Sequence, residues 1–236
     1  MVCFFTQGNG KKPLFGAIAT QPCNILGDCA LQVEYYGTRS YRAVVRRLKK
    51  LGVDGVAITA DFPEQFKNAL VDAGFAVFHG KKLMALMLPD MLRSLQKNYG
   101  LDPSVPIVVY GDASQPLCRR AVYDAVQFSR QVCLMGSGQM AAQVLSDEVL
   151  EMTGQTVSLC VPQKAHMAVW CGVQGQGALV SVNLGEKAID GAVNTITLIT
   201  PDGTQLDMAI AEGVLGDALT PEAIGRSGLK IKCFGH

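Results

Sequence analysis

Near the middle of the chain, in Gln131-Val-Cys-Leu-Met-Gly136-Ser-Gly138-Gln-Met-Ala141, an apolar strand-like run empties into Gly-x-Gly-x-x-Ala and then into a helical pattern. No other stretch constrains the fold as strongly. Glycines let the backbone turn tightly after a strand and leave room for a bulky anion, which the first amides and the dipole of the following helix then favour. A strand, a glycine turn and a helix in that order also call for a crossover to the next strand, hence a parallel sheet.

The surrounding pattern agrees. Strand Ile107–Tyr110, helix Pro116–Phe128 capped by Ser114, strand Val132–Met135, helix Gln139–Met152 stopped by Gly154, and strand Thr156–Val161 alternate regularly. Met167–Cys171 and Ala178–Asn183 add two strands, but only short loops precede them, so a crossover helix is missing there. In the first half, Leu14–Ala19, Leu31–Tyr35 and Gly55–Thr59 read as strands, and Tyr41, Val44, Val45, Leu48 and Leu51 recur at helical spacing before Gly52. Asp61-Phe-Pro63-Glu64 supplies an N-cap, a first-turn proline and an early acid for a helix carrying Phe66, Ala69, Leu70 and Ala73. Phe75–His79 and Leu83–Leu88 flank Gly80-Lys-Lys82 and fit a hairpin or the opening of a helix; Pro89 favours a helix over Pro89–Tyr99. Gly100-Leu-Asp-Pro-Ser-Val-Pro106 is the best linker, which divides the chain into a smaller α/β region over 1–104 and a mainly parallel domain over 105–236. At the tail, Thr195–Thr200 and Leu206–Ile210 around Pro201-Asp-Gly203 predict an antiparallel hairpin, with Leu229–Cys233 as a last strand.

Composition narrows the function. With 49% apolar and 17% charged residues the chain can bury a core, and its net charge of +1 gives no reason to expect nucleic acid or an anionic membrane as partner. The apolar start is too short for a signal segment and no run reaches the roughly 18 apolar residues of a membrane helix, so a soluble, cytoplasmic protein with a small-molecule ligand is expected, of undefined oligomeric state. The eight cysteines never form Cys-x-x-Cys, and Cys133, Cys160 and Cys171 lie in apolar runs, which predicts reduced thiols. Three histidines are little material for a metal site or a triad: His79 closes a strand, His166 opens one and His236 is terminal. Arg39, Arg42, Arg46, Arg47, Lys49 and Lys50 read as a solvated helix face.

The stretch from Gln131 to about Asp190 resembles the cofactor domain of Rossmann-type NAD(P)-dependent dehydrogenases. Gly136-Ser-Gly138-Gln-Met-Ala141 and Gly177-Ala-Leu-Val-Ser-Val-Asn183-Leu-Gly185 carry the resemblance. It implies a Rossmann-like sheet in the second half, a pyrophosphate held by Gly136, Ser137, Gly138 and Gln139, Asn183 on the nicotinamide side, and an oxidoreductase acting on an unidentified small molecule. One departure stands out. About 20 residues beyond the glycines, where NAD enzymes place an acid for the ribose, this chain has Cys160-Val-Pro-Gln163-Lys164. Lys164 suits a 2′-phosphate, so NADP is expected to bind at least as well as NAD.

No residue names itself as catalytic. Asp61 and Asp112 follow strands at the edge where open sheets place ligands, yet each is also explained as a cap. Cys118 sits in the first turn of a helix, where the dipole lowers a thiol pKa, without a neighbouring histidine in sequence. The scarce histidines and the missing acid favour an alternative, a non-catalytic Rossmann-like module that binds a small anionic ligand or a protein partner. An adenosyl-dependent transferase would use the same glycine turn.

Overall fold

In the first strand, β1 (Val2–Gln7), Cys3 and Phe5 are buried on one face and Phe4 on the other, the period of two that a sheet covered on both sides requires. The computed structural model describes residues 1–7, 18–36, 41–59, 62–159, 165–173, 175, 178–185 and 196–233. β2 (Ile18–Ile25) and β3 (Asp28–Tyr35) form a hairpin whose two-residue turn, Leu26-Gly27, has φ of 54° and 92°. Positive values at both positions match the right-handed twist of the strands, at the cost of placing a leucine where glycine or asparagine is usual. Helix α1 (Tyr41–Lys50) buries Val44 and Leu48 and turns Arg42, Arg46, Arg47, Lys49 and Lys50 outward, the solvated face expected; Arg39 and Asp61 lie outside the described residues. β4 (Gly55–Ala57), α2 (Glu64–Asp72) and β5 (Ala76–Phe78) complete a sheet of order β2-β3-β1-β4-β5, parallel except at β2.

Gly80-Lys-Lys82 opens a helix, not a hairpin. α3 (Lys81–Leu86) follows, and then α4 (Leu88–Tyr99), with Pro89 in its first turn and Gly100 closing it in the left-handed conformation. The buried carboxylate of Glu212 accepts a hydrogen bond from the Leu83 amide at 3.1 Å and so satisfies an early α3 donor.

The next seven elements are β6 (Ile107–Tyr110), α5 (Pro116–Ala125), β7 (Val132–Met135), α6 (Gln139–Thr153), β8 (Val157–Ser158), β9 (Met167–Trp170) and β10 (Val180–Asn183). They build an entirely parallel sheet of order β10-β9-β6-β7-β8. Counted from β6 as the first strand this is 3-2-1-4-5, the Rossmann order, with the reversal of direction between β6 and β9. Every residue of β6, β9 and β10 is buried, as in a parallel sheet covered on both faces. Among the described residues no helix connects β8 to β9 or β9 to β10. Residues 160–164, where the Thr156–Val161 strand was to end, lie outside the described set.

The tail departs from expectation at one element. β11 (Ile196–Ile199) and β12 (Gln205–Leu206) form the antiparallel hairpin, but the apolar stretch after it continues as helix α7 (Met208–Leu215), not as strand. The Asp207 carboxylate starts that helix by accepting from the Ala209 amide at 2.7 Å. A second helix, α8 (Pro221–Ser227), is capped by the Thr220 hydroxyl, and β13 (Lys230–Cys233) gives a three-stranded sheet of order β12-β11-β13.

The chain divides into two compact units, Met1–Leu83 with Leu198–Lys230, and Met84–Thr197 with Ile231–His236. The division differs from a boundary at 104/105 for two reasons. Helix α4 packs on α5, with Gln96 Nε2 donating to the Phe128 carbonyl at 2.7 Å, so it belongs to the second unit. Helix α7 packs on β1, β4 and β5, where Ala209 meets Phe4, Ala30 and Ala57, so the tail belongs to the first.

Candidate functional site

The carboxyl ends of the parallel strands in the second unit are lined with glycine: Gly111 follows β6, Gly136 follows β7, Gly172 lies two residues past β9 and Gly185 two past β10. These turns touch in two pairs. A Cβ at Gly136 would collide with the Gly111 carbonyl, and one at Gly185 would stand 2.6 Å from the Gly172 Cα. The edge is therefore bare backbone, the surface at which open α/β sheets bind ligands beside the point where strand order reverses.

The two turns that begin helices differ. Gly111-Asp-Ala-Ser-Gln-Pro116 is the first strand-to-helix turn of the sheet, in the pattern Gly-x-Ala-x-x-Pro, and it fills its own anion position. The Asp112 carboxylate accepts from the Ser114 amide at 2.9 Å and the Ser114 hydroxyl at 2.7 Å, which holds its carboxyl below the usual range. Ser114 thus bonds Asp112 and does not cap α5, whose N-cap Gln115 makes no side-chain bond. The turn after β7 is the reverse case. Gly138, with φ of 84°, is the N-cap of the 15-residue helix α6, no side chain caps it, and its first turn holds no acid. Ser137, Gly138 and Gln139 are exposed. No side chain bonds the first amides of this four-turn helix, and the Asp112 carboxylate already stands beside them, its Oδ1 3.2 Å from where a Cβ at Gly138 would lie, so part of the positive end of the dipole faces a charge within the protein.

Gly136, Ser137, Gly138 and Gln139 are thus together in one turn, as the sequence places them, but on the second strand of the Rossmann order and not the first. About 20 residues beyond the true first turn, the chain reaches this same turn, so the position from which an acid would meet the ribose is occupied by glycine and serine. Asn183 is three strands away, about 14 Å at ordinary strand spacing. It is buried, and its Oδ1 accepts from the Gly185 amide at 2.9 Å, fixing the turn after β10. Lys164 lies outside the described residues. His166 precedes β9, at the opposite end of the strands from the glycine edge.

Cys118, singled out by its place in a first helical turn, has a neighbour beside Gly111 that its sequence did not show. Cys171 follows β9 and donates its amide to the Tyr110 carbonyl at 2.7 Å, and Cys118 is the third residue of α5; their side chains both face Gly111, where they interact. That contact holds Cys118 below the usual thiol range, against the opposing effects of burial and the Asp112 charge. The six cysteines whose side chains are described are all thiols, none in a disulfide. No helix among the described residues is long and apolar enough to cross a membrane.

The first unit has a cavity of about 530 Å³ between the Leu26-Gly27 hairpin tip, the Thr200–Asp202 turn and Leu206. Its carboxylates, Asp202 and Asp207, bond to their own turns and no basic side chain lines it, so it offers nothing to an anion.

No family model and no curated protein matches the chain. Solved structures that match include a shikimate 5-dehydrogenase-like protein, at 15% identity over 65% of this chain and 66% of that one with a TM-score of 0.29. Quinate dehydrogenase from Corynebacterium glutamicum in complex with NAD matches at 13% identity, over 72% and 69%, with a TM-score of 0.31. L-tryptophan dehydrogenase from Nostoc punctiforme matches at 12%, over 84% and 64%, with a TM-score of 0.38. The chain spans about two thirds of the length of each. The Rossmann-like class of the second unit rests on its own strand order, not on these scores.

Proposed function

We propose that the second unit binds a nicotinamide dinucleotide along its glycine edge, NADP at least as well as NAD, and that the protein is an oxidoreductase acting on a small molecule. The observation that supports this most is the Rossmann strand order with an uncapped α6 where the ribose acid would stand. In this reading Gly136, Ser137, Gly138 and Gln139 face the adenosine end, where the bare amides suit a 2′-phosphate, while Asn183 shapes the far turn. Lys164 adds a cation. A single cation meeting a 2′-phosphate contributes about 1 kcal/mol, at most about a tenfold preference.

Titration calorimetry with NADP and NAD tests the reading, repeated on Lys164→Ala and on Ser137→Asp. NADP is expected to bind at least as tightly as NAD, Lys164→Ala to weaken NADP by up to about tenfold, and Ser137→Asp to weaken it by about tenfold or more through like-charge repulsion. Tight NAD binding with NADP excluded would overturn the cofactor preference. A second reading, a non-catalytic module for a small anion, is favoured by Asp112, whose ionised carboxylate fills the turn that otherwise takes a pyrophosphate and stands beside the start of α6, leaving little room for a dinucleotide. Inorganic phosphate bound with neither dinucleotide, and no turnover of NADPH, would decide for it.

A further inference from the structure

At the reversal point of the second sheet, three residues converge on one small volume. A Cβ built on Gly111 would stand 2.9 Å from the Cys171 Cβ, 3.3 Å from the Cys118 Cβ and 3.0 Å from the Cys118 Sγ. Glycine at 111 is what leaves the two side chains room. Both β-carbons lie within 3.3 Å of a single point, which puts them no more than about 6 Å apart, so a small inward shift would bring them to the separation of about 3.5–4.5 Å that a disulfide needs. Cys118 is fully buried, whereas Cys171 is only partly covered, so a small oxidant meets Cys171 first, although the contact with Cys118 and burial push the Cys171 thiol up and leave little of it as the reactive thiolate. Three other described thiols lie in different settings: burial pushes the Cys3 thiol up to about 12, the Cys23 thiol donates to the Ala30 carbonyl, and Cys29 stands exposed on the first-unit hairpin.

We propose that Cys118 and Cys171 are a redox-active pair that closes to a reversible disulfide by exchange with a small disulfide such as oxidised glutathione. The Cys171 sulfur attacks the small disulfide, whose S–S bond breaks; one small thiol leaves with the Cys171 proton and a mixed disulfide remains. The Cys118 sulfur then attacks the Cys171 sulfur and expels the second small thiol, which takes the Cys118 proton. Two protein thiols are oxidised and one small disulfide is reduced to two thiols, so electrons and protons balance. Cys118 suits the second step, because its place in the first turn of α5 favours the thiolate and its burial keeps competing small thiols away. The pair is independent of which ligand, if any, the glycine edge binds.

The experiment exposes the native full-length protein to oxidised glutathione, blocks remaining thiols with iodoacetamide, and maps linked peptides by mass spectrometry. A Cys118–Cys171 linkage without retained glutathione is expected, reversed by dithiothreitol. In Cys118→Ser the glutathione should remain on Cys171 as a stable mixed disulfide, and in Cys171→Ser the buried Cys118 should stay unmodified. Wild-type protein that keeps glutathione on Cys171, or that is modified only at Cys29, would overturn the proposal without recourse to either variant.

Discussion

A methyl group added at Gly136 would collide with the Gly111 carbonyl, because the turns at the ends of β6 and β7 lie against each other, and its φ of 148° is a conformation that side chains disfavour. Backbone stands on the far side of that contact, so no side chain can swing away. Gly136→Ala is therefore expected to destabilise the protein by at least about 2 kcal/mol, from strain and overpacking together. Gly154→Ala is the control. Its φ of 73° is in the left-handed region that side chains tolerate at a modest cost and nothing lies within 4 Å, so about 1 kcal/mol is expected from the backbone alone. Urea denaturation of both variants checks the difference, and equal losses would refute the packing of the two turns. The Gly136–Gly138 turn was legible in sequence because glycine spacing is local. Its contact with Gly111, and the meeting of Cys118 with Cys171, were not, since each joins residues far apart in sequence that only the sheet brings together.

Among the elements, the strands and helices from Ile107 to Val157 follow their apolar patterns closely, whereas α7 was read as strand. The reason lies in its environment. Met208, Ala209, Ala211, Glu212 and Gly213 are buried around much of the helix, so no clean apolar stripe marks a helical period, and the short run Leu206–Ile210 looks equally like an inward strand. The better signal was Asp207, whose carboxylate accepts the Ala209 amide. Removing it in Asp207→Ala should cost about 1 kcal/mol, the usual loss of an N-cap, and lower the midpoint of the thermal transition measured by circular dichroism. An unchanged midpoint would show that packing against β1, β4 and β5 alone holds the helix start.

Across the whole molecule, the second unit is nearly continuous in sequence, while the first is closed by a segment that returns from the far end of the chain. That return was illegible from composition: the linker before Pro106 has the residues of a boundary, yet α4 ahead of it packs on α5, and α7 covers the face of the first sheet that carries Phe4, Ala30 and Ala57. The consequence is an asymmetry between fragments. Residues 1–104 alone keep β1–β5 but lose α7, which exposes that apolar face and removes Glu212, the partner of the Leu83 amide; a buried donor left alone costs about 1–3 kcal/mol before the lost apolar contacts are counted. Marginal domains do not survive such losses. Residues 84–197, by contrast, contain β6–β10 with α4, α5 and α6 and are expected to unfold cooperatively on heating. Circular dichroism and amide-proton dispersion in the two fragments check this. A cooperative transition in 1–104 would mean that α7 is dispensable to the first sheet, and its absence in 84–197 would mean that the parallel sheet needs the rest of the chain to form.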